Sequence, residues 1–295
     1  MKFLNYILDK EEQLGILTKD EKKVIRLKDV LGANAPNTML DLIEGFSSEY
    51  KYSLEKIEGN YEEIDIDKVI IKAPIPFPKR GVICIGKNYR EHVNEVPSNI
   101  EFKNGIPEYP IYFSKFVDEA VGQNGKILLN ANITNKLDYE AELAVIIGKE
   151  GKNIPKDKVE EYIFGYTILN DISARDIQAK HIQWLVGKSL DGTCPMGPCI
   201  VDKSEIKFPV ELDIKCYING ELRQNSNTRE FIFDIPHIIS ELSEGITLKV
   251  GDIIATGTPA GVGSGFKPQK FLKNGDEVIS FIEKIGILKN TVSCE

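Results

Sequence analysis

The sequence predicts a mainly β fold of the α+β class. Short apolar runs rich in Val, Ile, Phe and Tyr recur along the chain, Gly, Pro, Asn and Asp punctuate them, and helical patterns are few. Strands that do not alternate with long helices argue against a doubly wound parallel sheet.

Residues 1–72 read as a small β-rich unit. Strand runs cover Phe3–Leu8, Gly15–Leu17 and Val24–Leu27, and TMLDLIEGF follows as a helix with Asn37 as its expected N-cap. APIPFPKRG, residues 73–81, is next. Proline fixes φ and removes a donor, so this stretch reads as an extended connector, and a larger catalytic unit is expected over 73–295. There the strand runs are Val82–Ile85, Ile111–Phe113, Leu137–Ile147, Phe164–Leu169, Glu211–Ile218, Asp252–Thr256 and Glu277–Ile282. Asn219-Gly220 predicts a hairpin turn between Ile218 and Glu221. Helices are expected at Tyr89–Val96, Lys156–Tyr162 and Ile235–Leu242.

Composition narrows the function classes. The chain has 295 residues, 42% hydrophobic and 28% charged, as ordinary soluble proteins do. A net charge of −8 with no basic cluster argues against nucleic acid. No apolar run approaches the roughly 18 residues of a membrane helix. MKFLNYILDKEEQLGIL is interrupted by charge and is not read as a signal peptide, so a cytoplasmic location is expected. The five cysteines are odd in number; Cys194 and Cys199 in CPMGPC have no second Cys or His cluster and read as free buried thiols rather than zinc ligands.

LDYEAELAVIIGK, residues 137–149, carries the sharpest chemical signal. Asp138, Glu140 and Glu142 alternate with apolar residues, so on one strand they would share a face, each about 7 Å from the next. At that spacing two bare charges repel by roughly 2 kcal/mol at an effective dielectric near 20. A hard divalent cation would balance them; a strand with one solvated face fits the spacing too. Asp171, closing the apolar run before it in YTILND, is a candidate third ligand, or a turn or capping aspartate.

Other polar clusters follow. His92 and Glu95 are three apart, as neighbours on a helix are; a carboxylate beside an imidazole makes a general-base pair, and an ordinary surface His–Glu pair fits the spacing equally. His181 and His237 have no comparable partner in sequence and read as structural. Arg175, Gln178 and Lys188 are groups that grip a carboxylate or keto oxygen, although each taken singly reads more often as a surface or structural residue. ATGTPAGVGSG, residues 255–265, is a glycine-rich loop that would offer backbone N–H groups and Thr258 to an anion. It has neither Walker nor dinucleotide spacing.

Six blocks, ICIGKNYREHVNEV, LDYEAELAVIIGK, FGYTILNDISARDIQ, QWLVGKSLDGTCPMGPCIV, IATGTPAGVG and GDEVISFIEKIGILKNTV, occur in the order seen in the fumarylacetoacetate hydrolase superfamily and span nearly all of residues 80–293. The chain resembles the bacterial branch with a small N-terminal domain, which includes 2-hydroxyhepta-2,4-diene-1,7-dioate isomerases and acylpyruvases. The resemblance implies a mixed β-roll core, a homodimer, and Mg²⁺ or Mn²⁺ held by Glu140, Glu142 and Asp171. It assigns His92, Glu95 and Lys188 to catalysis and Arg175, Gln178 and Thr258 to substrate binding. Asp138 matches a recurrent position without being a ligand. Lys115 matches a family lysine, but Phe116-Val117-Asp118 follow it where the family often has Pro-Ser-Ser, which leaves its role open. The implied activity is C–C hydrolysis of an acylpyruvate-like 1,3-diketo acid through a metal-stabilised enolate. Oxaloacetate decarboxylation or tautomerisation, and dienoate isomerisation, use the same site. A non-catalytic oxo-acid binder is the rival from another class. Side-chain specificity is expected to lie partly in Pro97–Pro110.

Overall fold

The computed structural model describes residues 1–55, 57, 61–95 and 105–294. Most strands join one mixed sheet whose order is Glu63–Asp65, Lys23–Arg26, Glu11–Leu17, Lys2–Leu8, Met196–Asp202, Ile163–Asn170, Ala141–Ile147, Ile253–Ala255, Val82–Gly86 and Ile111–Lys115. A second sheet runs Glu221–Asn227, Asp213–Ile218, Glu277–Ile282, Gly286–Ser293 and Lys126–Leu128. This is the expected mainly β, α+β architecture, with short helices at the sheet ends. Among the described residues no helix is long and apolar enough to cross a membrane.

The central strands are buried on both faces, which is why Ala141–Ile147 and Ile163–Asn170 read as near-continuous apolar runs. Alternate residues serve different cores. Leu143, Val145 and Ile147 pack with Ile214, Cys216, Val278 and Leu288 of the second sheet. Ala144 and Ile146 pack with Phe3, Leu42, Ile75 and Cys84. Burying each such side chain contributes about 1.5–3 kcal/mol, so the strand bearing Glu142 is anchored from both sides.

Residues 1–72 do not stand apart from this sheet. Phe3 pairs with Ile200 and Lys2 with Val201, so the N-terminal strands continue the main sheet. Phe3, Phe46 and Phe164 close the contact, with ring centroids 5.2–5.7 Å apart.

Several local expectations need correction. The N-cap of the helix Met39–Glu44 is Thr38, not Asn37: the Thr38 hydroxyl accepts from Asp41 N–H and the Asp41 carboxylate accepts from Thr38 N–H, a complete capping box. Leu27 opens a helix, Leu27–Leu31, instead of ending a strand. Leu137–Ile147 is not one strand. Leu137–Asp138 pairs with Ser173–Ala174 in a separate two-stranded sheet, and the main-sheet strand begins at Ala141. The Asn-Gly hairpin stands as expected, Ile218 opposite Glu221 and both turn residues at positive φ (50° and 79°).

Candidate active site

The break after Asp138 shapes the site, because it separates acids that an unbroken strand would align. Glu140 is tied to the end of the neighbouring strand from both sides. Its N–H donates to Asn170 Oδ1 at 2.9 Å, and its carbonyl accepts from Asp171 N–H at 2.9 Å. Glu142 follows inside the strand, and Gly257 N–H donates to its Oε2 at 2.8 Å. Glu140, Glu142 and Asp171 are all buried, and each offers an oxygen within 4.8 Å of the others. The spacing, which left Asp171 open between ligand and turn residue, thus brings three acids from two segments together.

Asp138 lies outside this triad. Fully buried, it accepts from Gly263 N–H at 2.6 Å, Ser264 N–H at 3.0 Å and Arg175 Nε at 2.8 Å.

Two lysines and an arginine balance the acids. Lys188 Nζ lies 2.6 Å from both Glu140 Oε2 and Asp171 Oδ2. Lys115 Nζ lies 3.0 Å from Asp171 Oδ1 and also donates to the carbonyls of Ile172 and Lys188. Lys115, whose role the sequence left open, is thus a buried counter-charge beneath the triad. Arg175 Nη2 sits 2.7 Å from Glu140 Oε1, and Nη1 donates to Gln178 Oε1 at 3.1 Å. Lys188 and Arg175 ride on the short helices Leu185–Lys188 and Arg175–Lys180, which the sequence reading missed. Gly187 lets these helices touch: a Cβ there would lie 2.6 Å from Gln178 N.

These contacts set two neighbouring acids apart. Burial opposes ionisation of Glu140, but the charges of Lys188 and Arg175 outweigh it and bring its carboxyl down to about 2. Burial and the repulsion of Asp171 and Glu140 push Glu142 well above the usual carboxylate range. Burial works against the charge of Lys188, yet Asp171 and Glu140 hold it above the ordinary lysine range, so it is an ammonium donor.

His92 and Glu95 lie together on the helix Arg90–Glu95, with Nδ1 3.3 Å from Glu95 Oε2. Gly261 N–H donates to the other Glu95 oxygen at 2.9 Å. The glycine-rich loop therefore presents its N–H groups as expected, but to the protein's own anions: Gly257 to Glu142, Gly261 to Glu95, Gly263 and Ser264 to Asp138. Thr258 lines the cavity, yet its hydroxyl donates to Ala141 O at 3.0 Å and accepts from Gln224 Nε2 at 2.7 Å. Gln224, which no motif flagged, also accepts from Ala141 N–H at 3.0 Å, between the two glutamates.

A cavity of about 620 Å³ is lined by Glu140 and Glu142 of the triad, with His92, Arg175, Gln178, Lys188 and Thr258 also in its wall. His181, read as structural, lies at this wall as well. His237 has a carboxylate neighbour after all, Glu241 one turn on with Nε2 2.8 Å from Oε2, away from the cavity lining. Of Pro97–Pro110, residues 97–104 lie outside the described residues, as does Val96 at the end of the expected helix. Cys194 and Cys199 are free and buried, and burial pushes both thiols up to about 12.

Known proteins resemble this chain over nearly its whole length. Residues 81–293 match the family described as fumarylacetoacetate (FAA) hydrolase C-terminal. Oxaloacetate tautomerase YisK of Bacillus subtilis is 43% identical over 298 residues, covering 98% of this chain and 96% of the relative. A fumarylacetoacetate hydrolase from Exiguobacterium antarcticum superposes with a TM-score of 0.86 at 36% identity, covering 100% of both chains. Maleylpyruvate hydrolase from a Sphingobium species, solved with manganese (II) ion and pyruvate, gives a TM-score of 0.80 at 27% identity, covering 99% of each.

Proposed function

The chain is an enzyme of the fumarylacetoacetate hydrolase family, and from that premise we propose that it enolises a small 2-oxo acid with a divalent metal, tautomerisation of oxaloacetate being its reaction. The observation that carries this reading is the buried triad, two of whose acids, Glu140 and Glu142, line the cavity. Glu140, Glu142 and Asp171 would hold the ion, and three carboxylate oxygens suit Mg²⁺ or Mn²⁺. The residues fit such an ion: Glu142, crowded by two other acids, is a buried carboxyl that a cation would relieve. When bound, the ion supplies Lewis acidity toward the carboxylate and keto oxygens of a 2-oxo acid.

The chain's own groups do the rest. Lys188, held protonated, faces the negative charge that builds on the keto oxygen. Glu95 engages His92 Nδ1, which leaves Nε2 to move the proton at C3. Arg175 and Gln178 are held to each other and bind carboxylate oxygens. Removing a proton from C3 and returning one to the oxygen completes tautomerisation without breaking a carbon–carbon bond.

The Bacillus subtilis relative supports tautomerisation as the first reading. Hydrolysis of an acylpyruvate, the reaction expected first from sequence, is the second, favoured by the His92–Glu95 pair, which would equally deprotonate a water. A panel of 2-oxo acids assayed with Mn²⁺ tests both. Oxaloacetate enol should disappear faster with enzyme, and His92→Ala should slow it by about 10²-fold or more while Mn²⁺ still raises the melting temperature. Glu142→Ala should abolish that rise. Full activity in His92→Ala would sink the base assignment, and a melting temperature blind to Mn²⁺ would sink the metal site.

A further inference from the structure

We propose that the cavity takes 2-oxo acids with an aromatic group on C3, so that the enzyme tautomerises arylpyruvates as well as oxaloacetate; the proposal rests on reading the cavity as a 2-oxo acid site. Part of the cavity lining is apolar: Ile85, Gly86, Phe113, Ala179, Ile182 and Trp184 contribute to it. Phe113 and Trp184 meet edge to face, with ring centroids 5.2 Å apart and planes at 70°. Both are half-buried, so the pair keeps surface open to the cavity. The wall is built into the fold. Gly86 and Ile111 are opposite each other on paired strands, and Cys84 and Phe113 are the next pair on the same face. Trp184 lies over that face where Gly86 has no side chain: a Cβ there would come within 2.5 Å of Trp184 Cζ3 and 3.0 Å of Cη2. The indole is thus seated on bare backbone and held by a second ring.

Position ties this wall to the chemistry. Lys188 N–H donates to the Trp184 carbonyl at 3.1 Å, so the two residues share one helical turn. Lys188 Nζ lies 5.0 Å from the Phe113 ring centroid and 2.6 Å from oxygens of Glu140 and Asp171. With a keto oxygen at Lys188, a group carried by the neighbouring carbon is close to these rings. Oxaloacetate has a carboxylate there and draws no apolar contact from them. An aryl group gains burial and ring–ring contact. The reaction is balanced without a co-reactant. His92 takes a proton from C3, the C2=C3 bond forms as the carbonyl π pair moves to oxygen, and a proton returns to that oxygen. An aryl ring on C3 conjugates with the new double bond, which favours the enol.

The test uses Mg²⁺-loaded full-length protein and two ligands that cannot enolise. Oxamate has only the oxalyl head; oxanilate, its N-phenyl derivative, matches phenylpyruvate with N–H in place of the methylene. Calorimetry should show wild type binding oxanilate about tenfold or more tighter than oxamate. Trp184→Ala should cut that ratio by about fivefold or more and Trp184→Phe by less than about twofold. Gly86→Ala, whose methyl displaces the indole, should cut it by about threefold or more, with oxamate affinity holding within about twofold in every variant. Trp184 is the chain's single tryptophan, so its emission should respond more strongly to oxanilate than to oxamate. Phenylpyruvate enol should reach the keto form faster with enzyme, and Trp184→Ala should lower kcat/KM for it more than for oxaloacetate. A ratio near one in wild type, or a ratio untouched in Trp184→Ala, overturns the aromatic wall. Should Trp184→Ala fail to fold, the ratio in Gly86→Ala and the wild-type emission decide. Protein that binds neither ligand refutes the 2-oxo acid reading and this proposal with it. Protein inert toward oxaloacetate that still binds oxanilate at the expected ratio refutes only the oxaloacetate reading.

Discussion

Asp138, Glu140 and Glu142 occupy alternate positions but answer to different partners. Asp138 is spent on Arg175 and two loop N–H groups, Glu140 on Lys188 and Arg175, whereas Glu142 receives only the Gly257 N–H among the described residues. Glu142 is therefore the acid whose charge state a metal would change. A carboxyl raised on folding supports the folded state below its unfolded value, and that support fades as pH climbs toward the raised one. Glu140 acts in the opposite sense: its support is present above the ordinary carboxylate range and is lost as pH falls toward about 2. The metal-free melting temperature should accordingly fall as pH rises above the ordinary carboxylate range, Mn²⁺ affinity should climb in the same direction, and Glu142→Gln should flatten the stability slope. Thermal melts, with calorimetry in buffers of unlike ionisation enthalpy to count the proton released on Mn²⁺ binding, check this; a flat profile in wild type would contradict it. The alternation of these acids is legible within one short window of sequence. What balances each acid is not, because Lys115, Arg175, Lys188 and Gly257 reach the site from distant segments.

Elements position those residues through a ladder that changes material partway. The strand Ala141–Ile147 pairs along its length with Ile163–Asn170, but with Ile253–Ala255 only from Ala144 to Ile146. Beyond that, Thr256 N–H reaches the Leu143 carbonyl at 3.0 Å. The Thr258 hydroxyl then takes the Ala141 carbonyl, and Gln224 takes the Ala141 N–H. Side chains continue the pairing at the residue between the two glutamates. Gln224→Leu would free both ends of that clamp and should weaken Mn²⁺ binding by about 10–100-fold, read by calorimetry; Gln224→Glu, which keeps an acceptor for Ala141, should retain more of it. Unchanged affinity in Gln224→Leu would mean that the clamp holds only the fold. The Asn219-Gly220 hairpin is legible because its turn chemistry is local. The helices Arg175–Lys180 and Leu185–Lys188 are not, since helices this short draw their stability from packing that sequence periodicity does not display. The alternation that revealed the acids also hid the break after Asp138, because the hydrophobic pattern passes through it without interruption.

On the scale of the whole molecule, the division at residues 72/73 is a proposal about the chain, while the sheet itself runs across it. Removing residues 1–72 would strip one of the two pairing partners from Met196–Asp202 and uncover Phe164. The fragment 73–295 should therefore be insoluble or melt well below the full chain, and a soluble fragment with an unchanged Mn²⁺-dependent melt would show that the larger unit folds alone. We also propose a homodimer, to be checked by light scattering on the full chain; a monomer at micromolar concentration would refute it.

The pairing of Phe3 with Ile200 has a consequence for biogenesis. A ribosome releases the first strand long before it has made the strand at Met196–Asp202, a wait of roughly 10–40 seconds at about 5–20 residues per second. Meanwhile the start of that strand has an open edge of the kind that recruits foreign strands. The nascent chain thus passes through a window in which a chaperone has something to shield.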